Sequence, residues 1–268
     1  GLNNLRIKFY NIIYMSLRNY SVGSKQYNFY KTMYENQDLN FVLKMKQKYS
    51  ELNNFKMPIN KAFEFWDSYI DPSDPDLDEP NSLHAYQTAE RIRKKYPDDK
   101  EYQIIGLIHD LGKVLFTYDE PDYAVVGDTF VVGCKLPESM VFYEHTEQHP
   151  DYDNSVLGIY ERSCGLDNLH LSYGHDEYLF QVLKQNSDKH FISENLWDII
   201  RYHSFYPWHT GDSYKIFMTE SDKDLLESVR HFNNFDLYSK KDDVNIRNST
   251  KKFYKELLDK YFPEELWW

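Results

Sequence analysis

Apolar residues recur every three or four positions through most of this chain, the period of an amphipathic helix. Leu83, Tyr86, Ala89 and Ile92 form one such stripe and predict a helix over 82–96, opened by Asn81-Ser82. Ile104, Ile108, Leu111 and Leu115, at spacings of 4, 3 and 4, predict a second over about 100–117. The same period predicts helices at about 154–160, 175–186, 193–205, 222–235 and 249–261. Residues 1–57 read as polar helices rich in Lys, Asn and Tyr, with an apolar pattern at Tyr30, Met33, Tyr34, Leu39, Val42 and Met45. That region ends at the break Met57-Pro58, and Asp71–Pro80 is a Pro- and Asp-rich loop that cannot be helical throughout. Only 124–134 leans toward β structure, as a short hairpin or extended segment. The expectation is a mostly α fold. An N-terminal helical region, 1–57, precedes one continuous helical-bundle domain, 58–268.

Composition narrows the class. Hydrophobic residues make up 41% of 268, including 24 Tyr and 17 Phe, which is enough for a sizeable core. A net charge of −12 argues against a nucleic-acid partner, whose phosphates need a concentrated positive surface. Cys134 and Cys164 are too few for a disulfide framework, so a reducing, cytoplasmic setting is expected. No stretch approaches the roughly 20 apolar residues of a membrane span. The apolar run Phe9–Leu17 meets Arg18 directly and reads as a packing helix, not a signal peptide.

The chemistry begins at His109-Asp110, set between Ile108 and Leu111. A His and an acid on a buried face are costly unless something pairs with both, and a metal ion is one such partner. His84 lies in the middle of the preceding helix. Asp236 follows Leu225, Val229 and Phe232 at helical steps, on the apolar face of its helix or just past its end. This His…His-Asp…Asp order resembles the HD-domain superfamily. His175, at the start of a helix, and His203, on an inward face after Leu196, Ile199 and Ile200, extend the set. Four histidines and two aspartates suit two iron ions if Asp110 is shared. His84, His109, Asp110 and Asp236 would hold one ion, and Asp110, His175 and His203 the other.

Longer motifs carry a closer resemblance. Asp74-Pro75-Asp76, Pro80-Asn81-Ser82-Leu83-His84, His109-Asp110-Leu111-Gly112-Lys113, Val125-Val126-Gly127-Asp128-Thr129, Gly174-His175-Asp176-Glu177-Tyr178, Tyr202-His203-Ser204-Phe205-Tyr206-Pro207-Trp208 and Phe235-Asp236-Leu237-Tyr238-Ser239-Lys240 all resemble the myo-inositol oxygenase family. The resemblance spans about residues 18–268. It implies a four-electron, O2-dependent opening of myo-inositol to D-glucuronate at a ferrous–ferric pair, in a monomer. It also implies that His84, His109, Asp110, His175, His203 and Asp236 are the iron ligands. Substrate contacts would fall on Arg18, Asp71, Pro72, Ser73, Lys113, Gly127, Asp128, His203, Ser204 and Lys240, with Tyr30 as a lid tyrosine. Lys113, one turn after His109, would steady negative charge on a substrate oxygen. Two departures stand out: Pro72 takes a place where the family usually has Glu, and the spacing from Arg18 to Tyr30 differs.

Finer expectations follow. Glu90 and Glu177 would orient imidazoles by accepting their free N–H, and Tyr206 and Trp208 would wall the pocket. His145, His149, His170, His190, His209 and His231 are read as non-ligands. An HD-type metal-dependent phosphohydrolase would share the ligand set but needs more cations than Lys113 and Lys240. A catalytically dead scaffold is disfavoured because every ligand position is filled.

Overall fold

A computed structural model describes residues 21–73, 80–239 and 246–268. Arg18, Lys240, the Phe9–Leu17 run and the Asp74-Pro75-Asp76 part of the acidic loop lie outside the described residues.

The fold is a helical bundle with very little sheet. Helix α1 spans Lys25–Asn36, opened by the Ser24 hydroxyl, which accepts the Tyr27 N–H. Helix α2 spans Leu39–Lys48 and is capped in the same way by Asp38. Strand β1, Lys56–Met57, and helix α3, Ile59–Trp66, follow. Two central helices come next, α4 at Asn81–Lys95 and α5 at Lys100–Ile108. The second half contributes α6 at His175–Gln185, α7 at Glu194–Tyr202, the single turn α8 at Tyr206–His209, α9 at Ser221–Ser239 and α10 at Asn248–Tyr261. Strand β2, Leu266–Trp267, pairs antiparallel with β1 and ties the C-terminal residues to the segment between α2 and α3. Trp268 completes the tie, donating its indole N–H to the Met57 carbonyl.

Helices α4 and α5 pack side by side, α6 lies against α7, and α9 crosses α4 and α7. Their inward faces share one core with α1 and α2: Tyr30, Met33, Tyr34 and Val42 are buried with Ile104, Leu111, Leu179 and Phe232. A second cluster gathers Tyr202, Phe205, Trp208, Tyr214 and Phe217 beside Val229.

Two expectations are corrected and one left open is decided. The helix predicted over 100–117 stops at Ile108, and Leu111–Tyr118 winds as a tighter 3-10 segment. It leaves the α path where it meets the first turn of α6. A Cβ on Gly112 would lie 2.0 Å from the His175 carbonyl oxygen, so only glycine permits the approach. No helix forms at 154–160. There the Asn154 side chain accepts the Ser155 N–H and the Ser155 hydroxyl accepts the Gly158 N–H, removing donors a helix would use. Of the hairpin or extended segment expected over 124–134, it is the extended segment that forms. Val131 bridges to Leu171 across the chain, and Gly127 and Gly133 adopt positive φ of 101° and 87°.

Candidate metal centre

Three loop-and-helix junctions aim imidazoles at one point. His109 and His203 are the residues immediately after α5 and α7, and His175 is the first residue of α6. Each uses Nδ1 on a backbone carbonyl: His109 on Gly106 (2.9 Å), His203 on Ile200 (2.7 Å), His175 on Val125 (2.8 Å). That bond fixes the ring and leaves Nε2 facing inward, as metal-ligating histidines require. The orienting acceptors are therefore main-chain oxygens, and the expected roles of Glu90 and Glu177 are not met. Glu177 receives Arg201 and Gln181, and Glu90 receives Tyr254 and Arg93.

The Nε2 atoms meet carboxylates at separations that leave room for cations. Nε2 of His175 and of His203 lie 3.2 and 3.3 Å from Asp110 Oδ1 and 3.4 Å from each other, a nearly equilateral triangle. Ligand atoms about 2.1 Å from a metal and at right angles to one another would be about 3 Å apart, so this triangle fits one face of a coordination sphere. On the other side, Asp236 Oδ1 is 2.7 Å from His84 Nε2 and 3.4 Å from His109 Nε2. Asp110 Oδ2 faces the same His109 nitrogen at 3.7 Å, so its two oxygens point toward different histidine groups. His109 Nε2 is buried with no hydrogen-bond partner, which leaves its lone pair available to a cation. The donors are hard oxygens and imidazoles, a set suited to iron, zinc or manganese. Among the described residues, groups able to hold a metal comprise only these six side chains and Asp176.

The field of the site favours the same outcome. Burial alone would push the Asp110 and Asp236 carboxyls up. Lys113 and His109 around Asp110, and His109 and His84 around Asp236, overcome it and hold both well below the usual carboxylate range. Burial opposes charge on His175 too, yet Asp176 and Asp110 raise it to about 10. The pocket demands positive charge, from protons or from a metal.

Lys113 is buried and bound at both ends of its reach. Its Nζ lies 2.9 Å from Asp110 Oδ2 and 2.9 Å from Asp71 Oδ2. The 3-10 winding changes the expected geometry: Lys113 aligns with Asp110, three residues back, instead of with His109 four back. Asp71 in turn accepts the Ser73 N–H and hydroxyl, closing a turn that contains Pro72. On the opposite side, the Tyr30 hydroxyl donates to Asp128 (2.9 Å), and Gly127 beside it packs under Met33 and Phe29 of α1. Ser204 follows His203, and its carbonyl accepts the Thr129 N–H. Trp208 lies in the second hydrophobic cluster with its indole N–H on the Met218 sulfur.

Asp176 is not among the ligands expected from the sequence. It is buried, and its Oδ1 lies 2.7 Å from His175 Nε2. As the neighbour of a ligand on a helix it is expected on another face, and only the first-turn geometry of α6 brings both residues inward. The signal available was its place in Gly174-His175-Asp176-Glu177, one acid more than a lone ligand explains. The six other histidines have structural surroundings. His149, His190 and His209 each bond a backbone carbonyl, His231 meets Tyr96, His170 lies near Lys46, and His145 packs on Tyr27.

The chain is similar to known proteins over most of its length. The family description "Myo-inositol oxygenase" matches residues 24–268. Inositol oxygenase 1 of Arabidopsis thaliana is 46% identical over 248 residues, covering 90% of this chain and 79% of its own length. Inositol oxygenase of Danio rerio is 44% identical over 259 residues (94% and 92%), and that of Homo sapiens 43% over 261 (94% and 91%).

Proposed function

The chain belongs to the myo-inositol oxygenase family, and on that premise we propose that it is an inositol oxygenase that opens myo-inositol to D-glucuronate with O2 at a pair of iron ions. The observation that carries the reading is the two histidine groups sharing Asp110, with Lys113 bound to the same carboxylate.

His84, His109, Asp110 and Asp236 would hold one ion, and Asp110, His175 and His203 the other. When bound, the ferrous–ferric pair supplies Lewis acidity for the polyol hydroxyls and the redox capacity to activate O2. The chain's own residues do the rest. Lys113, held by Asp71 and Asp110, keeps an ammonium beside the shared carboxylate, where it can donate to a substrate oxygen and steady its negative charge. Inositol is neutral and densely hydroxylated, so its recognition needs several oriented polar groups, each worth about 1–3 kcal/mol if left unmatched. Asp71, Pro72 and Ser73 in their turn, Gly127, Asp128, His203 and Ser204 are assigned that role, with Arg18 and Lys240 by family resemblance. The Tyr30–Asp128 bond ties α1 to the loop carrying Gly127 and Asp128, which supports Tyr30 as a lid residue that would help exclude water, in an N-terminal region and lid assigned to 1–57 beside the 58–268 core. Two unpaired cysteines suit a reducing cytoplasm, where the enzyme would act as a monomer.

The deciding experiment is O2 uptake with myo-inositol, ferrous iron and a thiol reductant, with glucuronate identified as product. Inositol-dependent uptake is expected. Robust phosphoester hydrolysis with Mn2+ and no inositol-dependent uptake would replace this reading with a metal-dependent phosphohydrolase.

A further inference from the structure

Asp176 has no part in the ligand set above, yet it is buried at the centre of the site. Besides the His175 Nε2 that lies 2.7 Å from Oδ1, its two oxygens hold Ser204. Oδ2 accepts the Ser204 N–H and Oδ1 accepts the Ser204 hydroxyl, each at 3.1 Å. The Thr129 hydroxyl reaches Oδ2 at 3.3 Å, while the Thr129 N–H holds the Ser204 carbonyl at 2.9 Å. Ser204 is thus fixed at its N–H, its carbonyl and its hydroxyl, by one carboxylate and one loop residue.

The consequence is chemical. A carboxylate only accepts, and a serine hydroxyl has a single proton. With that proton committed to Asp176, Ser204 Oγ presents only lone pairs to the pocket. The nearest other polar atom is His175 Nε2 at 3.4 Å, which carries no proton when it ligates a metal. We infer that Asp176 is a positioning residue that makes Ser204 an obligate hydrogen-bond acceptor, so that one particular hydroxyl of the polyol must donate to it. The inference rests on the polyol reading above and deepens it. It predicts that the site requires a donor at one ring position and rejects a hydrogen, fluorine or keto oxygen there.

The test is anaerobic binding of myo-inositol and its monofluoro and monodeoxy analogues to the iron-loaded protein. Fluorine removes the donor and keeps the size. At one ring position the fluoro analogue should bind roughly tenfold more weakly than myo-inositol to the native protein, the equivalent of one ordinary hydrogen bond. In Ser204→Ala that discrimination should vanish. In Asp176→Asn the amide can donate to Oγ and turn the hydroxyl outward, so the penalty at that position should shrink to about threefold or less, with iron stoichiometry unchanged. An analogue series with no position whose penalty disappears in Ser204→Ala would overturn the inference. So would an Asp176→Asn protein that keeps the full penalty, or one that loses an iron ion and thereby marks Asp176 as a ligand. If Asp176→Asn does not fold, the analogue with a keto oxygen at that position decides: the native protein should bind it as weakly as the fluoro analogue, and undiminished binding would show that Ser204 donates and overturn the inference. Failure of the native protein to bind myo-inositol at all would instead sink the functional reading.

Discussion

Replacing Arg201 by Met should destabilise the protein by about 3 kcal/mol, because it strands a buried carboxylate. Arg201 of α7 donates from Nε to Glu177 Oε2 of α6 at 2.8 Å, and its guanidinium lies over the Phe180 ring at 4.4 Å. The side chains are only 10% and 8% exposed, so water cannot replace the lost partner. Removing one member of such a pair costs roughly 3–5 kcal/mol. Gln181 still donates to Glu177, which places the effect at the lower end. The second partner of Arg201, Asp167, is 80% exposed and adds almost nothing. For a chain of this size, 3 kcal/mol corresponds to a fall in Tm of roughly 6–12 °C. The consequence reaches the metal centre, since Glu177 follows His175 by two residues and Arg201 precedes His203 by two. The pair therefore sets the spacing of the helices that bring two imidazoles to Asp110. Calorimetry on Arg201→Met and on Arg201→Met/Glu177→Leu checks the account. The double variant removes the stranded charge and should recover most of the loss. A single variant within about 2 °C of native, or a double variant no better than the single, would refute the argument.

Four further outcomes are expected. On the proposed two-ion reading, Asp110→Asn leaves three ligands in one group and two in the other, so metal analysis after ferrous reconstitution should find at most about one ion per chain instead of two. Lys113→Ala should keep its iron yet lose at least about 100-fold in kcat; an unchanged kcat in the O2-uptake assay would remove it from the chemistry. Gly112→Ala places a methyl 2.0 Å from the His175 carbonyl, and since backbone must move to relieve it, a loss above about 3 kcal/mol is expected in denaturant titration. Burial, with the nearby Arg230 adding, pushes His209 down to about 3. Below its unfolded value of 6.5 the unfolded chain binds a proton the folded chain refuses. Stability should therefore fall with pH by up to about 1.4 kcal/mol per unit. A Tm-against-pH series from 7 to 4 should be shallower for His209→Gln than for the native protein.

Much of this protein is written in local pattern. The 3.6-residue spacing of Leu83, Tyr86, Ala89 and Ile92 marks α4 to within one residue at either end, because burial of a stripe is a short-range effect; the cap expected from Asn81-Ser82 is not made, since Pro80 precedes the helix and Asn81 donates to the Trp66 and Tyr69 carbonyls. The ligand set is legible for a related reason: an acid or imidazole on an apolar helix face, as at Asp236 or His109, is too costly to occur without a partner. The failures lie where distant segments overrule local preference. Ile104–Leu115 has the spacing of one continuous helix, and nothing in those residues announces that α6 will press its backbone against Gly112 and tighten the chain there. That contact alone redirects Lys113 from His109 to Asp110 and Asp71. The orientation of the imidazoles is likewise invisible in sequence, because the atoms that set it are carbonyls of Gly106, Ile200 and Val125, and a carbonyl has no residue identity to read. By itself, then, the sequence pointed to four histidines and two aspartates gathered on the inner faces of a helical bundle as the candidate metal ligands. Tertiary structure decided how they meet: Asp110 between two histidine groups, and Asp176 turned inward onto Ser204, because hydrogen-bond direction depends on atoms brought together from far along the chain.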